Sequence, residues 1–278
     1  MMELYNNTCM ECSQLITNRY STSFSLGIRV FDKRFRAPIY AIYGFVRFAD
    51  EIVDTFHQFK KAELLERFWA DTYRAIEERI SLNPVLHSFQ EVVHKYKIEQ
   101  DLIDAFLKSM EMDLHYQNYE DDMYKEYIYG SAEVVGLMCM RVFAEGDNEL
   151  YESLRAPACS LGSAFQKINF LRDMKSDFDE RGRVYFPGVS FSNFTVEDKI
   201  NIEADIKKDF DDAYKGIVRL PKGARFGVYL AYRYYINLFK KIKGVPPARV
   251  KKERIRVKDS KKIYLLFSSA LKNQLNIL

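Results

Sequence analysis

The amino-acid sequence predicts an all-α protein, and its spacing and composition both support this fold class. Apolar residues recur every three or four positions along almost the whole chain, and nothing reads as a series of alternating strands. Gly and Pro number only 12 and 7 among 278 residues, as expected of long helices. The 21 Phe and 19 Tyr exceed the usual need of a core, which suggests a wide apolar cavity between the helices. A Tyr-rich core and surface would explain the same numbers.

The spacing predicts ten helices and one long connection. The helices are expected at residues 3–19, 37–56, 61–80, 85–96, 99–115, 123–144, 148–177, 196–219, 223–243 and 260–275. Pro38, Pro84 and Pro221 suit first turns, because the N–H that proline lacks has no partner there in any helix. The longest irregular stretch, residues 179–193, is a candidate lid.

Several protein classes are excluded by composition. An apolar fraction of 47% with 29% charged residues excludes disordered and low-complexity chains. The most apolar segment, residues 134–144, is interrupted by Arg141 and is too short to span a membrane. The first twelve residues lack the apolar stretch of a secretory signal, so we expect a cytoplasmic protein. Four cysteines are too few for a disulfide scaffold, and Cys9 with Cys12 form a lone CxxC without the second pair of a zinc site.

The positive charge is concentrated near the C-terminus. Residues 239–278 carry twelve Lys/Arg and two acidic residues, a net charge of +10, which leaves −7 for residues 1–238. Such a basic segment is either a solvated surface or a contact with anionic lipid at the inner face of a membrane. Nucleic-acid binding is not expected, because no binding-module signature accompanies the charge.

Residues 40–54 contain the first of two polar helix faces. On a helix, positions three or four apart share a face, and here the other faces are apolar. The residues of this first acidic stripe are Tyr43, Arg47, Asp50, Glu51 and Asp54. Asp50 and Asp54 are like charges one turn apart, which costs about 0.2–0.5 kcal/mol on an exposed helix and more when partly buried. Arg47 can offset one of these charges, and a divalent cation can offset both.

Residues 162–177 contain the second polar face. Its members, here called the second acidic stripe, are Gly162, Gln166, Asn169, Asp173 and Asp177. Their amide and carboxylate oxygens are hard ligands of the kind that Mg²⁺ accepts while it binds substrate phosphates. Either stripe alone is weak evidence, since many solvated helices carry Asp at i and i+4. Two stripes in apolar sequence, each beside an arginine, predict a magnesium site.

Other polar clusters are interpreted as solvated surface. Adjacent or alternate acids on a helix point away from each other, as in the clusters of Asp121 and Asp122 and of Asp209, Asp211 and Asp212. His87, Glu91 and His94 share a helix face and have the chemistry of zinc ligands. Because lysines follow them at positions 95 and 97, a solvated face is preferred there too.

Four motifs, in order, resemble those of the squalene/phytoene synthase family. They are Tyr20-Ser-Thr-Ser-Phe24, Arg47-Phe-Ala-Asp-Glu-Ile-Val-Asp54, Tyr127-Ile-Tyr-Gly-Ser-Ala-Glu-Val-Val-Gly136 and Gln166-Lys-Ile-Asn-Phe-Leu-Arg-Asp-Met-Lys-Ser-Asp177. The segment Arg181-Gly-Arg-Val-Tyr-Phe-Pro187 is similar to the family's loop after its second acidic motif. The resemblance covers about residues 15–265.

The resemblance implies one domain over residues 1–278 with the class I isoprenoid synthase helical fold and a central apolar channel. Two acidic helices would face each other across the channel, with Mg²⁺, or Mn²⁺ in its place, between them. The implied metal ligands are Asp50, Asp54, Asn169, Asp173 and Asp177, and the implied catalytic residues are Asp50, Asp54, Asp173, Asp177 and Arg47. The implied substrate contacts are Ser21, Ser23, Phe24, Tyr43, Arg47, Tyr127, Ala132, Val135, Gly136, Gln166, Asn169, Arg172, Tyr235 and Arg254.

The activity implied by the resemblance is the head-to-head joining of two prenyl diphosphates through a cyclopropyl diphosphate. We expect geranylgeranyl diphosphate to give phytoene without NADPH, because the motifs are most similar to those of carotenoid-pathway members and the chain shows no C-terminal membrane anchor. The alternative is a squalene, dehydrosqualene or hydroxysqualene synthase that uses farnesyl diphosphate. A non-catalytic assembly or binding relative is disfavoured, because the principal carboxylates are intact. The oligomeric state stays open.

The sequence departs from the family pattern at two positions. Glu51 stands where the family frequently has a second Asp, so the negative charge is kept on a longer side chain. Glu133 stands where Gly is common, and it would alter the channel only if its side chain faces inward.

Overall fold

The structure, a computed structural model, describes residues 1–115 and 119–257, without the side chains of Thr22, Ser23 and Arg181. Over these ranges the chain forms twelve α-helices, one π-helical turn and no extended strand. The helices are α1 (Met2–Tyr20), α2 (Thr22–Arg29), α3 (Lys33–Asp54), α4 (Lys61–Glu78), α5 (Pro84–Tyr96), α6 (Gln100–His115), α7 (Asp121–Ile128), α8 (Val134–Ala144), α9 (Asn148–Arg181), α10 (Val196–Ile217), α11 (Lys222–Lys243) and α12 (Pro247–Val250). The π-helical turn (Tyr129–Glu133) joins α7 to α8. The all-α prediction is therefore confirmed, and the predicted helix 260–275 lies outside the described residues.

Two of the three prolines predicted to lie in first turns do not lie there. Pro84 is the first residue of α5, as predicted, but Pro38 is the sixth residue of α3, which begins at Lys33. Pro221 is the N-cap of α11 and precedes its first turn. Buried Phe35, which is fully shielded from solvent, shows why α3 starts early: its first turn already packs into the core.

The spacing analysis missed α2, a helix of only eight residues. The Ser21 side chain caps it by accepting a hydrogen bond from the backbone N–H of Phe24 at 3.2 Å. The predicted helix 123–144 is interrupted by the π-helical turn, and α9 continues past Asp177 to Arg181. The connection that follows therefore covers residues 182–195 rather than 179–193.

The buried side chains form two apolar clusters that α9 connects. In the first, Phe45 of α3 stacks on Phe89 of α5 with ring centroids 3.9 Å apart and packs against Phe106 of α6. In the second, Phe170 of α9 stacks on Tyr185 at 4.0 Å. Because the first half of α9 packs in one cluster and the second half in the other, this helix fixes their relative position.

The π-helical turn packs against α9 backbone to backbone. A Cβ atom on Gly162 would lie 2.7 Å from the carbonyl oxygen of Ala132, closer than side chains pack. Glycine at this position therefore allows the turn to approach the beginning of the second acidic stripe.

The interpretation of His87 as part of a solvated face was wrong. Its ring is buried, and Nε2 lies 3.0 Å from Oδ1 of Asn6 while Nδ1 accepts from the N–H of Ser81. These bonds tie α5 to α1. Within the described ranges, no helix is long and apolar enough to cross a membrane.

Candidate active site

A cavity of about 470 Å³ lies between α2, α3, the π-helical turn, α8, α9 and α11. Its lining is mainly apolar and aromatic. Ten of the predicted substrate contacts line it: Ser21, Phe24, Tyr43, Ala132, Val135, Gly136, Gln166, Asn169, Arg172 and Tyr235. The structure therefore brings together residues that are as far apart in sequence as Ser21 and Tyr235. The side chain of Ser23, another predicted contact, is outside the described residues.

Stacked aromatic rings form part of the cavity wall. Phe24 stacks on Tyr43 with centroids 4.6 Å apart, and Phe165 stacks on Tyr235 at 3.9 Å. Burial raises the pKa of Tyr43, although a hydrogen bond with Ser21 opposes the rise. Both Tyr hydroxyls are thus neutral at physiological pH and can act as hydrogen-bond donors at the polar end of the cavity.

Arg47 pairs with two carboxylates of the first acidic stripe, both within α3. Nη1 of Arg47 lies 2.5 Å from Oδ2 of Asp50, and Nη2 contacts buried Glu51. Arg47 also lies over the ring of Tyr20, and its Nε is buried without a hydrogen-bond partner. Arg47 therefore offsets the charge of Asp50, one of the two carboxylates predicted to repel each other, and its unpaired Nε is a donor that an anionic ligand could use.

The first polar residues of the second acidic stripe are hydrogen-bonded to neighbouring elements. Nε2 of Gln166 donates to Ser131 of the π-helical turn at 3.3 Å, and the Tyr235 hydroxyl donates to Oδ1 of Asn169 at 3.2 Å. Nε of Arg172 donates to Oδ1 of Asp173 at 3.0 Å. Burial alone would lower the pKa of Arg172, but its bond to Asp173 and the charge of that carboxylate hold it above the usual value.

Arg254 reaches the second stripe from the segment after α12. It was a predicted substrate contact, and it pairs with Asp173 rather than lining the cavity. Asp173 therefore lies between two guanidinium groups, those of Arg172 and Arg254. Asp177, one turn further along α9, is buried.

A buried ion pair that sequence analysis missed lies beside Asp54. Nη1 of Arg183 is 2.8 Å from Oδ1 of Asp113 and 3.9 Å from Oδ1 of Asp54. The Tyr127 hydroxyl donates to Oδ2 of Asp113 at 2.9 Å. Tyr127 was predicted to line the channel, and this was wrong, because its hydroxyl is directed to Asp113. Asp113 has no neighbouring acid on its helix face, so no local pattern singled it out.

The carboxylates do not form a closed metal cage. Among the described residues, no group of three or more His, Cys, Asp and Glu side chains converges on one point. Mg²⁺ is usually bound by one or two carboxylates, waters and substrate phosphates, so a complete protein cage is not required. The stripes supply carboxylate and amide oxygens with arginines beside them, which are the kinds of group that a magnesium diphosphate would use.

Glu133 faces away from the cavity. It lies between Cys159, Asp209 and Lys167, and burial raises the pKa of its carboxyl. The interpretation of Asp209 as solvated surface was wrong, since it accepts from Nζ of Lys167 at 2.7 Å and from Ser163 at 3.0 Å. Asp211 and Asp212 do lie on the surface, where each pairs with an exposed lysine.

Comparison with known sequences identifies the family. The sequence model of squalene/phytoene synthases matches residues 17–261. The chain belongs to the squalene/phytoene synthase family. Members of this family are head-to-head prenyltransferases that act on prenyl diphosphates.

Three curated relatives in the squalene/phytoene synthase family show how similar this chain is to named sequences. The 4,4'-diapophytoene synthase of Staphylococcus haemolyticus is 28% identical over 205 residues, which are 71% of this chain and 68% of the relative. The phytoene synthase of Arthrospira platensis is 26% identical and covers 87% of this chain and 89% of its own. The chloroplastic phytoene synthase 1 of Solanum lycopersicum is 27% identical over 88% of this chain, which spans 62% of that relative.

Solved structures share the fold. A dehydrosqualene synthase in complex with a ligand superposes with a TM-score of 0.83 at 19% identity, over 97% of this chain and 98% of the other. A squalene synthase from Alicyclobacillus acidocaldarius superposes with a TM-score of 0.75 at 17% identity, over 86% and 95%. These similarities confirm the predicted single-domain helical fold of the family.

Proposed function

We propose that this protein condenses two molecules of geranylgeranyl diphosphate head to head into phytoene. The observation that carries this proposal is the apolar, aromatic cavity, which Tyr43 of the first stripe and Gln166 and Asn169 of the second stripe also line. The motifs are most similar to those of carotenoid-pathway members, and two of the three relatives above are named phytoene synthases. Both observations favour the twenty-carbon substrate. The reaction needs no reductant.

The proposed cofactor is Mg²⁺, with Mn²⁺ as an alternative. The residues that would hold it are Asp50, Asp54, Asn169, Asp173 and Asp177. When bound, the ion would neutralise charge that develops on the leaving diphosphate. Arg47 and Arg172 would stabilise the same charge, and Arg47 has an unpaired Nε to offer.

The cavity wall would protect the allylic cation formed when diphosphate leaves. Apolar side chains exclude water, which would otherwise react with the cation. The stacked pairs Phe24–Tyr43 and Phe165–Tyr235 present ring surfaces that attract positive charge. The second prenyl chain would then be the nucleophile that reaches the cation.

Farnesyl diphosphate is the rival substrate, favoured by the names of one curated relative and of both solved structures above. Purified protein with Mg²⁺ should be incubated with geranylgeranyl or farnesyl diphosphate, each with and without NADPH, and the extracted hydrocarbons identified. Phytoene from the longer substrate without NADPH is expected. Squalene formed only from farnesyl diphosphate with NADPH, with no turnover of the longer substrate, would contradict the proposal. Absence of product in every incubation would favour the non-catalytic relative.

We also propose that the basic segment Lys240–Lys262, of which residues 258–262 lie outside the described residues, contacts an anionic lipid surface. Phe178, which is 40% exposed, stacks on Phe191 with centroids 4.1 Å apart. Nζ of Lys251 lies 5.9 Å from the Phe191 ring and donates to the carbonyl of Ser192 at 3.1 Å. An exposed aromatic pair beside a basic segment suits the interface of an anionic bilayer, where substrate and product of this chemistry would dissolve.

A further inference from the structure

The guanidinium of Arg47 is contacted by groups from two different helices. Its Nη1 and Nη2 pair with Asp50 and Glu51, which follow Arg47 by three and four residues on α3. The ring of Tyr20 lies over the flat face of the guanidinium, with the ring centroid 4.4 Å from Cζ. Tyr20 is the last residue of α1, so this contact comes from outside the first acidic stripe.

The position of Tyr20 is set by the junction between α1 and α2. Thr17 is fully buried, and its backbone carbonyl accepts hydrogen bonds from the N–H of Ser21 at 3.0 Å and from Oγ of Ser25 at 3.1 Å. Ser21 has an extended backbone and caps α2 with its side chain. The backbone at Tyr20 is therefore held in place, although the residue itself is 51% exposed.

The same junction also meets α3 one turn earlier. Phe24, on the other side of Ser21, stacks on Tyr43 with ring centroids 4.6 Å apart. Tyr43 and Arg47 are four residues apart and share one face of α3. Two successive turns of the first acidic stripe are therefore each covered by an aromatic ring, from Phe24 and from Tyr20.

The ring contact affects how the Arg47 guanidinium can be used. Nε of Arg47 is buried and has no hydrogen-bond partner among the described residues. The two carboxylates pair with the outer nitrogens, and these bonds alone would let the group tilt about the line that joins Nη1 and Nη2. A ring over the flat face opposes that tilt, because the cation is attracted to the ring. The ring also keeps water from this face, and hydrogen bonds are stronger in a drier site.

We propose that Tyr20 is a positioning residue for an anion site at Arg47. Its ring holds the guanidinium in one plane, with the unpaired Nε–H presented to a diphosphate. The inference rests on the proposed function, in which Arg47 stabilises charge on the leaving diphosphate. It adds a residue that lies outside both acidic stripes and outside the predicted substrate contacts. The ring is what the site needs, since the guanidinium contacts the ring face.

The substitution Tyr20→Leu tests the inference directly. It removes the ring and keeps an apolar side chain, so the apparent dissociation constant for inorganic diphosphate with Mg²⁺ should rise about threefold, as expected for the loss of one cation–π contact near the surface. Tyr20→Phe keeps the ring and should bind like the parent. Thermal stabilisation by inorganic diphosphate, titrated at fixed Mg²⁺, gives the constant without turnover. Tyr20→Met takes the place of Tyr20→Leu if that variant does not fold.

A double-mutant cycle with Arg47→Gln shows whether Tyr20 acts through Arg47. Arg47→Gln removes the guanidinium and should weaken diphosphate binding by more than Tyr20→Leu does. Adding Tyr20→Leu to Arg47→Gln should then weaken binding no further. The control is Tyr214→Leu, because Tyr214 is 36% exposed on α10 and packs against the ring of Tyr232. This control should bind diphosphate like the parent.

Four results would overturn the inference. Parent-like binding by Tyr20→Leu would show that the ring has no role at the anion site, and equal losses in Tyr20→Phe and Tyr20→Leu would show that the hydroxyl acts instead. A further threefold loss, of about the same size, when Tyr20→Leu is added to Arg47→Gln would show that Tyr20 does not act through Arg47. These three results refute the inference alone. If the parent binds no diphosphate, or Arg47→Gln binds it like the parent, the proposed role of Arg47 fails and the inference fails with it.

Discussion

Arg254 donates to both carboxylate oxygens of Asp173, from Nε at 2.7 Å and from Nη2 at 3.2 Å. The segment after α12 therefore returns to the second acidic stripe, 81 residues earlier in the chain. Arg172 and Arg254 both pair with Asp173, and Arg47 pairs with Asp50 and Glu51. The protein thus keeps its acidic stripes neutralised by side chains that could turn to a diphosphate.

This pairing gives a prediction for Asp173→Asn. Arg254 is 48% exposed and can be hydrated once its partner is lost, but Arg172 is only 18% exposed and loses its counter-charge, so the ligand-free protein should lose about 1–3 kcal/mol of stability. Turnover and the stabilisation by Mg²⁺ with diphosphate should both disappear. Thermal melts with and without these ligands, together with product assays, measure both effects.

The matched control for Asp173→Asn is Asp211→Asn. Asp211 forms an exposed ion pair with Lys207 on α10, so its substitution should change neither activity nor ligand stabilisation. A ligand-free loss above about 3 kcal/mol in Asp173→Asn, with turnover retained, would mean that the carboxylate is a structural ion-pair partner.

The membrane proposal predicts binding that depends on charge. Replacing exposed Lys240, Lys243 and Lys252 by Glu should abolish co-sedimentation with anionic vesicles, since each basic residue near the surface contributes about 1 kcal/mol. Binding by the parent should weaken as salt rises. The same change at exposed Lys33, Lys97 and Lys125 should have a smaller effect. Equal binding of the parent to neutral and anionic vesicles would leave the segment as a solvated surface.

Glu133 should make stability depend on pH. Burial raises the pKa of its carboxyl in the folded state, so the folded protein binds this proton more tightly than the unfolded chain does. The contribution is fully present below the ordinary Glu pKa of about 4.3 and is lost as pH rises through the raised value.

The test of this pH dependence is Glu133→Gln. Denaturant unfolding between about pH 4 and about pH 8, a range that runs upward from the ordinary pKa, should show a flatter profile in the variant than in the parent. Exposed Glu66→Gln should keep the parent profile. Parallel profiles for Glu133→Gln and the parent would show that Glu133 does not titrate with folding.

Gly162→Ala should disturb the start of the second acidic stripe. The new Cβ would lie 2.7 Å from the carbonyl oxygen of Ala132, so the backbones must separate at a cost of about 1–3 kcal/mol. Gly27→Ala is the control, because its Cβ would meet nothing closer than 3.8 Å and helix propensity favours alanine. Calorimetric melts compare the two variants, and equal stability would mean that the packing at Gly162 relaxes freely.

The sequence predicted those parts of the site that lie within one helix. Asp50 and Asp54, like Asp173 and Asp177, are one turn apart, so their shared faces follow from helix geometry alone. The start of α3 was misplaced because Pro38 was taken as a first-turn residue, although α3 tolerates it at its sixth position.

The parts that were not predicted depend on contacts between distant segments. Asp113 and Arg183 are 70 residues apart, and although Arg183 lies in a segment similar to a family loop, nothing in either local sequence indicates that the two pair. The direction of Tyr127 follows from the same contact. Burial of His87 depends on Asn6, 81 residues away. The lysines near His87 in the sequence therefore did not indicate whether its ring is exposed.

The π-helical turn at Tyr129–Glu133 fixes the number of residues between α7 and α8. One additional residue in the turn advances every later side chain by about 100° relative to an uninterrupted helix. Before the turn Tyr127 meets Asp113, and after it Val135 and Gly136 line the cavity. Deleting a single residue would rotate one of these groups out of place. Over evolutionary time this segment should therefore reject insertions and deletions.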